Sequence, residues 1–360
     1  MVLWLKIRLS VTLLMAFTSA WGPPQRRWKP SPMMRPLHTT TAPTMGLGGA
    51  PVSPHFASCM QRYMYFSSWF MTCNSYFLRI FVPVKEELRM EGLHRLRQKY
   101  GLGETRALYE LVMQQRFNLS RNDILLGKDT TLSAKDKAEL QIILDRMADG
   151  EPVQYVLGYE EFCGRMYMVN SNVLIPRPET QQLVRLVEQN VAVGESVLDI
   201  GTGSGCIAIT LSLLGFKTTA FDVSKEALDV AKQNAKRLGA EVCFGCENIL
   251  QPKSYSKHWK AIVSNPPYIC VSEANEMDDN VFCHEPHLAL FVPDDNPLLF
   301  YRAIAEFGCK YIENDGWLFF EVNRAYARQV EALLLQKGYK ETQIVKDQYD
   351  NDRFVCARKK

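Results

Sequence analysis

The chain has 360 residues, 47% hydrophobic and 22% charged, with ten cysteines and a formal net charge of +3. That length admits two domains plus an extension, and the apolar share is that of a globular protein with a core. Charge is unevenly placed: residues 1–85 hold nine Lys or Arg and no acid, leaving 33 basic against 39 acidic residues in 86–360, a net of −6. An acidic body of this kind argues against gripping a nucleic-acid backbone through bulk charge.

Residues 1–70 form a leader. Lys6 and Arg8 precede an apolar run, 9–20, that is too short to span a bilayer. It reads as a signal-peptide core with Thr18-Ser19-Ala20 as a cleavage site, or, being acid-free with Arg and Ser, as an organelle transit peptide. A third reading, which we prefer, starts the protein at an internal Met such as Met64 or Met71. Residues 22–56, rich in Pro, Thr and Gly, read as disordered.

Residues 71–152 read as a small helical domain. The stretch 104–116 places Leu108, Leu111 and Val112 on one face, and Ser133 with Asp136 predicts a helix start close to a capping box. Leu140, Ile143 and Leu144 follow on that helix, which Gly150 and Pro152 end. Its bland reading is a structural cap; its functional reading is a module recognising a macromolecule. The alternation in 153–175 around Gly158 and Gly164 predicts a β-hairpin linker. In "LIPRPET" (174–180) two prolines flank Arg177 and present its side chain from a rigid turn.

From residue 176 to 360 strands and helices alternate. Strands are predicted over 196–200, 218–222, 242–245, 260–264 and 317–322, with a C-terminal pair at 344–345 and 354–357. Helices are predicted over 179–188, 205–214, 224–238, 297–312 and 325–336. The alternation predicts a doubly wound α/β sheet. The cysteines show no disulfide rhythm, and several, such as Cys206 and Cys309, sit in apolar runs, which suits a reducing compartment. Cys243-x-x-Cys246 lacks the second ligand pair a zinc site wants, and Cys283-His284 reads as a loop pair, so no metal is expected.

"VLDIGTGSGCIAI" (197–209) is a strand, a glycine-rich turn and a helix start. Gly201, Gly203 and Gly205 allow close backbone approach to a ligand. Asp222, about 20 residues on at the end of the next strand, stands where an acid binds ribose hydroxyls. A dinucleotide fingerprint wants a third glycine at position 206, which is Cys. With Asp199 ahead of it, the loop is instead similar to the first motif of class I S-adenosylmethionine-dependent methyltransferases.

"NPPY" (265–268) follows a buried strand, at the strand end where open α/β sheets bind ligands. Its prolines cannot join a sheet ladder. An amide or exocyclic amino nitrogen has its lone pair delocalised, so it is a poor nucleophile. Asn265 Oδ1 and the Pro266 carbonyl, held by the fixed φ of Pro266 and Pro267, can accept hydrogen bonds from both its N–H groups and stabilise developing positive charge. Tyr268 offers a ring to pack against a planar group or near that charge. The bland reading is a strand ended by a Pro-Pro turn with a packing Tyr.

The stretches "EPVQYVLGYEEF" (151–162), "VLIPRPET" (173–180), "VLDIGTGSGCIAI", "AFDVSKEALDVAKQNA" (220–235), "IVSNPPYI" (262–269), "HEPHLAL" (284–290), "LFFEV" (318–322) and "DNDRF" (350–354) occur in this order. On them, residues from about 85 to 360 resemble the HemK/PrmC family of protein-(glutamine-N5) methyltransferases. The resemblance implies a seven-stranded class I methyltransferase domain behind the helical domain and hairpin. It implies S-adenosyl-L-methionine held by Gly201, Thr202, Gly203, Ser204, Gly205 and Asp222, with Glu247 or Asn248 on adenine and Asn265 at the transfer point. It implies Asn265, Pro266, Pro267 and Tyr268, with Arg177, around the glutamine of the Gly-Gly-Gln loop of class 1 peptide-chain release factors. The family commonly has an acid where this chain has Gln181, and a glycine where it has Asp350.

Three other readings compete. A nucleic-acid amino-methyltransferase acting on adenine N6, cytosine N4 or guanine N2 could use the same NPPY chemistry, but the acidic body, the IPRPET segment and the lack of a basic target-recognition domain oppose it. A dinucleotide oxidoreductase is opposed by Cys206. A silent docking protein is opposed by intact Asn265, Pro266 and Tyr268. The expectation is a monomer that binds a release factor, with no nucleic acid and no membrane. Its compartment is the bacterial cytoplasm, or a mitochondrion or plastid if the leader is a transit peptide.

Overall fold

The computed structural model describes residues 91–360, so the leader and its three readings lie outside the described residues. Four helices come first. α1 (Glu91–Phe117) is broken at Gly101, whose φ of 73° lies outside helical space. α2 (Arg121–Leu125) opens on a capping box between Ser120 and Asp123 that the sequence reading passed over. α3 (Ala134–Ala148) opens on the expected Ser133, whose hydroxyl accepts the Asp136 amide. Leu140, Ile143, Leu144 and Met147 of α3 pack on Leu96, Tyr109, Val112 and Met113 of α1, and each buried side chain of this size contributes about 1.5–3 kcal/mol.

The linker differs from a plain hairpin. Its first residues form a single helical turn, α4 (Val153–Leu157), which Gly158 ends at φ 81°. Only then do β1 (Tyr159–Phe162) and β2 (Arg165–Met168) pair antiparallel. Cys163 and Gly164 turn them at φ 49° and 72°, the two positive dihedrals of a type I′ turn whose twist matches the strands.

The α/β part begins at α5 (Gln181–Asn190) and runs β3 (Ser196–Ile200), α6 (Cys206–Leu213), β4 (Lys217–Asp222), α7 (Lys225–Leu238), β5 (Val242–Cys246) and β6 (Trp259–Ser264). A two-residue strand pair, β7 (Ile269–Cys270) and β8 (Phe291–Val292), brackets the short helix α8 (Asp279–His284). The chain ends with α9 (Leu299–Tyr311), β9 (Ile312–Glu321), α10 (Ala327–Gln336), β10 (Lys340–Lys346) and β11 (Asp352–Arg358). The seven-stranded sheet has the order β10-β11-β9-β6-β3-β4-β5, antiparallel where β11 meets β10 and β9 and parallel elsewhere.

Period-two alternation sorts these strands between two cores. Leu198, Ile200, Ile262, Leu318 and Phe320 face Tyr301, Ile304 and Phe307 of α9 and Val330 and Leu334 of α10. Val197, Ala261, Val263 and Phe319 face Leu183 and Val187 of α5 and Ile207 and Leu211 of α6. A strand covered on both faces reads as a continuous apolar run, as β3, β6 and β9 do. Their C-terminal ends converge where α6 starts, and the candidate site lies there. Among the described residues no helix is long and apolar enough to cross a membrane.

Candidate active site

The glycine loop is stitched to the end of the neighbouring strand. The amides of Gly201 and Thr202 both donate to the Phe221 carbonyl, at 2.9 and 3.0 Å, and the Gly203 amide donates to Asp222 Oδ2 at 2.9 Å. Gly201, Gly203 and Gly205 all have positive φ. Their roles divide. A Cβ at Gly201 or Gly203 would stand in open space, and both residues line a cavity of about 300 Å³. A Cβ at Gly205 would lie 2.7 Å from Ile209 Cδ1 and 3.1 Å from Ala231 Cβ, so Gly205 admits the close approach of α6 and α7.

Of the residues proposed for the methyl donor, Gly201, Gly203, Asp222, Glu247, Asn248 and Asn265 line that cavity. Thr202 and Ser204 are buried beneath the loop. Thr202 Oγ1 donates to Asp199 Oδ2 at 2.7 Å, and the Ser204 carbonyl accepts from Asn234 Nδ2 at 2.9 Å. Burial pushes the Asp199 carboxyl up to about 7, and the Asp222 carboxylate adds to the rise. Asp199 Oδ1 is buried with no hydrogen-bond partner. Burial also raises Asp222, against the amides of Ser224, Gly203 and Val223.

The choice between Glu247 and Asn248 is sharpened by their hydrogen bonds. Glu247 is buried, with Oε1 accepting the Lys253 amide at 2.7 Å and Oε2 accepting the Tyr255 hydroxyl at 2.6 Å. Asn248 is exposed; its Oδ1 accepts the Leu250 amide at 3.0 Å in a local turn, and its NH2 group has no hydrogen bond among the described residues.

On the acceptor side, Asn265, Pro266 and Pro267 line the same cavity. Asn265 Nδ2 donates to Thr180 Oγ1 at 3.3 Å, while Asn265 Oδ1 and the Pro266 carbonyl have no hydrogen bond among the described residues. Tyr268 does not line it. Its ring packs on the core under α9, and its hydroxyl donates to Glu321 Oε1 at 3.3 Å. Arg177 does not line it either. Its guanidinium donates to the buried Glu285 at 2.5 Å, and the second oxygen of Glu285 accepts the Ile175 amide at 3.2 Å. Glu285 thereby ties the segment after α8 to the IPRPET turn, beside Pro286, Leu288 and Ala289, which close one wall of the cavity. Asn280 of α8 itself donates to the Tyr100 hydroxyl of α1 at 2.9 Å.

Four polar residues that structure the site escaped the sequence reading as site residues: Thr180, Asn234, Glu285 and Glu321, all buried. Asn234 accepts the Met168 amide at 2.7 Å and donates to the Met168 carbonyl at 3.0 Å, besides holding Ser204. A polar residue on the buried stripe of a helix, as Asn234 is on α7, was the signal available. Among the described residues no group of three or more His, Cys, Asp or Glu side chains is placed to hold a metal ion.

Two family models match, the PrmC N-terminal domain over residues 87–158 and the Methyltransferase small domain over residues 178–284. The chain is 42% identical over 271 residues to the release factor glutamine methyltransferase of Bacteroides thetaiotaomicron, covering 73% of this chain and 96% of that one. It is 38% identical over 259 residues to the protein of the same name from Flavobacterium psychrophilum, covering 70% and 91%. Among solved structures, a methyltransferase from Pyrococcus furiosus is 16% identical with a TM-score of 0.42, over 55% of this chain and 90% of that one. With its helical domain, its glycine loop and its NPPY turn in one chain, this protein belongs to the release factor glutamine methyltransferase family.

Proposed function

We propose that the chain transfers a methyl group from S-adenosyl-L-methionine to the side-chain amide N5 of the glutamine in the Gly-Gly-Gln loop of class 1 peptide-chain release factors. The observation that carries this reading is the pair of unpartnered acceptors, Asn265 Oδ1 and the Pro266 carbonyl, in a cavity that Gly201, Gly203 and Asp222 also line.

The cavity suits the donor on its own residues. Gly201 and Gly203 leave room for close approach, Asp222 offers a carboxylate to ribose hydroxyls, and Asn248 offers its NH2 to an adenine nitrogen. When bound, the donor supplies a methyl group already activated by a sulfonium. The protein therefore has to orient the amide, exclude water and favour positive charge at nitrogen. Asn265 Oδ1 and the Pro266 carbonyl take the two N–H groups of the glutamine. This holds the amide plane so that its nitrogen faces the methyl group. Both acceptors gain strength as the nitrogen becomes cationic, so they act more on the transition state than on the bound substrate. The alkylated nitrogen is acidic enough to pass a proton to water. The enzyme works in this reading as a monomer in the cytoplasm, with the release factor as its protein partner and no nucleic acid.

The test is methyl transfer from labelled donor to a purified release factor, beside the same factor with its Gly-Gly-Gln glutamine changed to Ala. Label on the first and none on the second is expected. Label on neither, with donor binding intact, overturns the reading and redirects the search to RNA and DNA.

A further inference from the structure

We infer that Thr180 and Glu321 are positioning residues for the transfer: they lock the Asn265 amide with Oδ1, and not Nδ2, presented to the substrate. The inference rests on the glutamine-methylation reading and adds to it two residues outside the NPPY motif.

The two ends of an Asn side chain have nearly the same shape and opposite hydrogen-bonding sense. Packing cannot choose between them; a hydrogen bond of fixed direction can. Such a bond is present. Glu321, at the end of β9, is buried and accepts the Thr180 hydroxyl on Oε2 at 2.7 Å and the Tyr268 hydroxyl on Oε1. A threonine hydroxyl has one proton, and Thr180 gives it to the carboxylate. Only lone pairs then remain on Thr180 Oγ1 for Asn265, and Nδ2 donates to them at 3.3 Å. The sequence of carboxylate, hydroxyl and amide has one polarity throughout, set by the member that can only accept. The reversed amide would put an NH2 group against the substrate's own NH2 and remove one of the two acceptors.

Polarity holds while Glu321 is ionised. The groups facing Glu321 are Arg353 on β11, which favours the charged form, and Glu179 before α5, which opposes it. Tyr268 faces it after β6, and the Tyr301 hydroxyl on α9 donates to its backbone carbonyl at 3.3 Å. Burial dominates and raises the Glu321 carboxyl to about 7. Protonated, Glu321 can donate to Thr180, and the direction of the bond to Asn265 is no longer enforced.

The experiment measures kcat, KM and donor affinity for Thr180→Ser, Thr180→Val and Glu321→Gln on a release factor, with kcat followed across pH. Thr180→Ser keeps the hydroxyl and should stay within about twofold of wild type. Thr180→Val and Glu321→Gln should lose at least about tenfold in kcat while donor affinity changes by less than about threefold. The wild-type kcat should rise with pH through about 7, and Glu321→Gln should lack that limb. A purely structural role would lower stability and leave the pH profile in place. Wild-type kcat in Thr180→Val and Glu321→Gln, or an unchanged limb in Glu321→Gln, overturns the inference. Should Thr180→Val fail to fold, the near-isosteric Glu321→Gln decides. A wild type that binds donor but leaves the release factor unlabelled overturns the glutamine reading, and this inference with it; a labelled factor with no split among the variants overturns this inference alone.

Discussion

Thr202 satisfies one oxygen of Asp199 and leaves the other bare: Oδ2 takes the Thr202 hydroxyl, and Oδ1 is buried without a hydrogen bond beneath the donor loop. An acid raised from its ordinary 3.8 to about 7 by burial is carried more cheaply neutral than charged. Its contribution to stability is intact below the ordinary carboxylate range and is lost as pH climbs through the folded value. The melting temperature of the donor-free protein should therefore fall from about pH 4 to about pH 7 and level off above that, and Asp199→Asn should fall less steeply. A cationic donor favours the ionised form, so adding it should flatten the wild-type slope. Calorimetry of both proteins, with and without donor, measures all three.

The loop glycines should separate in mutation. Gly205→Ala forces a Cβ against Ile209 and Ala231 at φ 81° and should cost about 1–3 kcal/mol of stability. Gly201→Ala meets no neighbour, so its stability loss should be smaller, and its donor affinity should fall by roughly tenfold or more because the new methyl enters the cavity. Thermal melts and donor titrations on the two proteins give the comparison.

Asn265→Ala removes the acceptor proposed to meet the glutamine nitrogen, and should lower kcat by roughly 10²-fold with donor affinity little changed. Asp222→Ala should chiefly weaken donor binding. Equal losses of both quantities in both variants would show that the cavity does not divide its labour in this way.

Glu285→Ala leaves the Ile175 amide and the Arg177 guanidinium without their shared acceptor. Arg177 is partly exposed and can turn to water, so the expected loss is about 1–3 kcal/mol, below that of a fully buried pair. Hydrogen exchange should rise over residues 271–289 and over the IPRPET turn together. A rise confined to one of them would argue against the tie.

Asp350 sits at φ 66° in the tight connection between β10 and β11, a backbone state that glycine adopts freely. Asp350→Gly should raise stability by about 0.5–1 kcal/mol, offset in part by loss of the exposed Lys346 contact, and should leave catalysis unchanged.

The motifs of the candidate site were legible because their chemistry demands rare residues close together in sequence: three glycines in five positions, an acid at the next strand end, and Asn-Pro-Pro-Tyr. The order of strands and helices was legible because each strand's apolar run is its own signature. The helix at 153–157 was missed because one turn is too short for a period to show. β9 begins at Ile312 rather than 317 because Glu313, Asn314 and Asp315 break the apolar pattern at its exposed start. The bond from the Tyr268 hydroxyl to Glu321 was not legible, since sequence gives a residue's neighbours in the chain and not those across 53 positions. The role of Thr180 and Glu321 was hidden for the same reason: their partnership spans 141 positions.

Asn234 has a consequence for anyone exchanging modules between enzymes of this kind. Its bonds to both backbone groups of Met168 and to the Ser204 carbonyl weld the hairpin to α7 and to the glycine loop. α4 straddles the seam between parts: Val153 packs in the helical core, while Tyr155 packs with Val169, Val173 and Ile175 on α7 and donates to the Val173 carbonyl at 2.6 Å. A helical module grafted so that Tyr155 is kept retains that packing; one grafted at residue 175 forfeits the connector's packing of Val169, Val173 and Ile175 on α7.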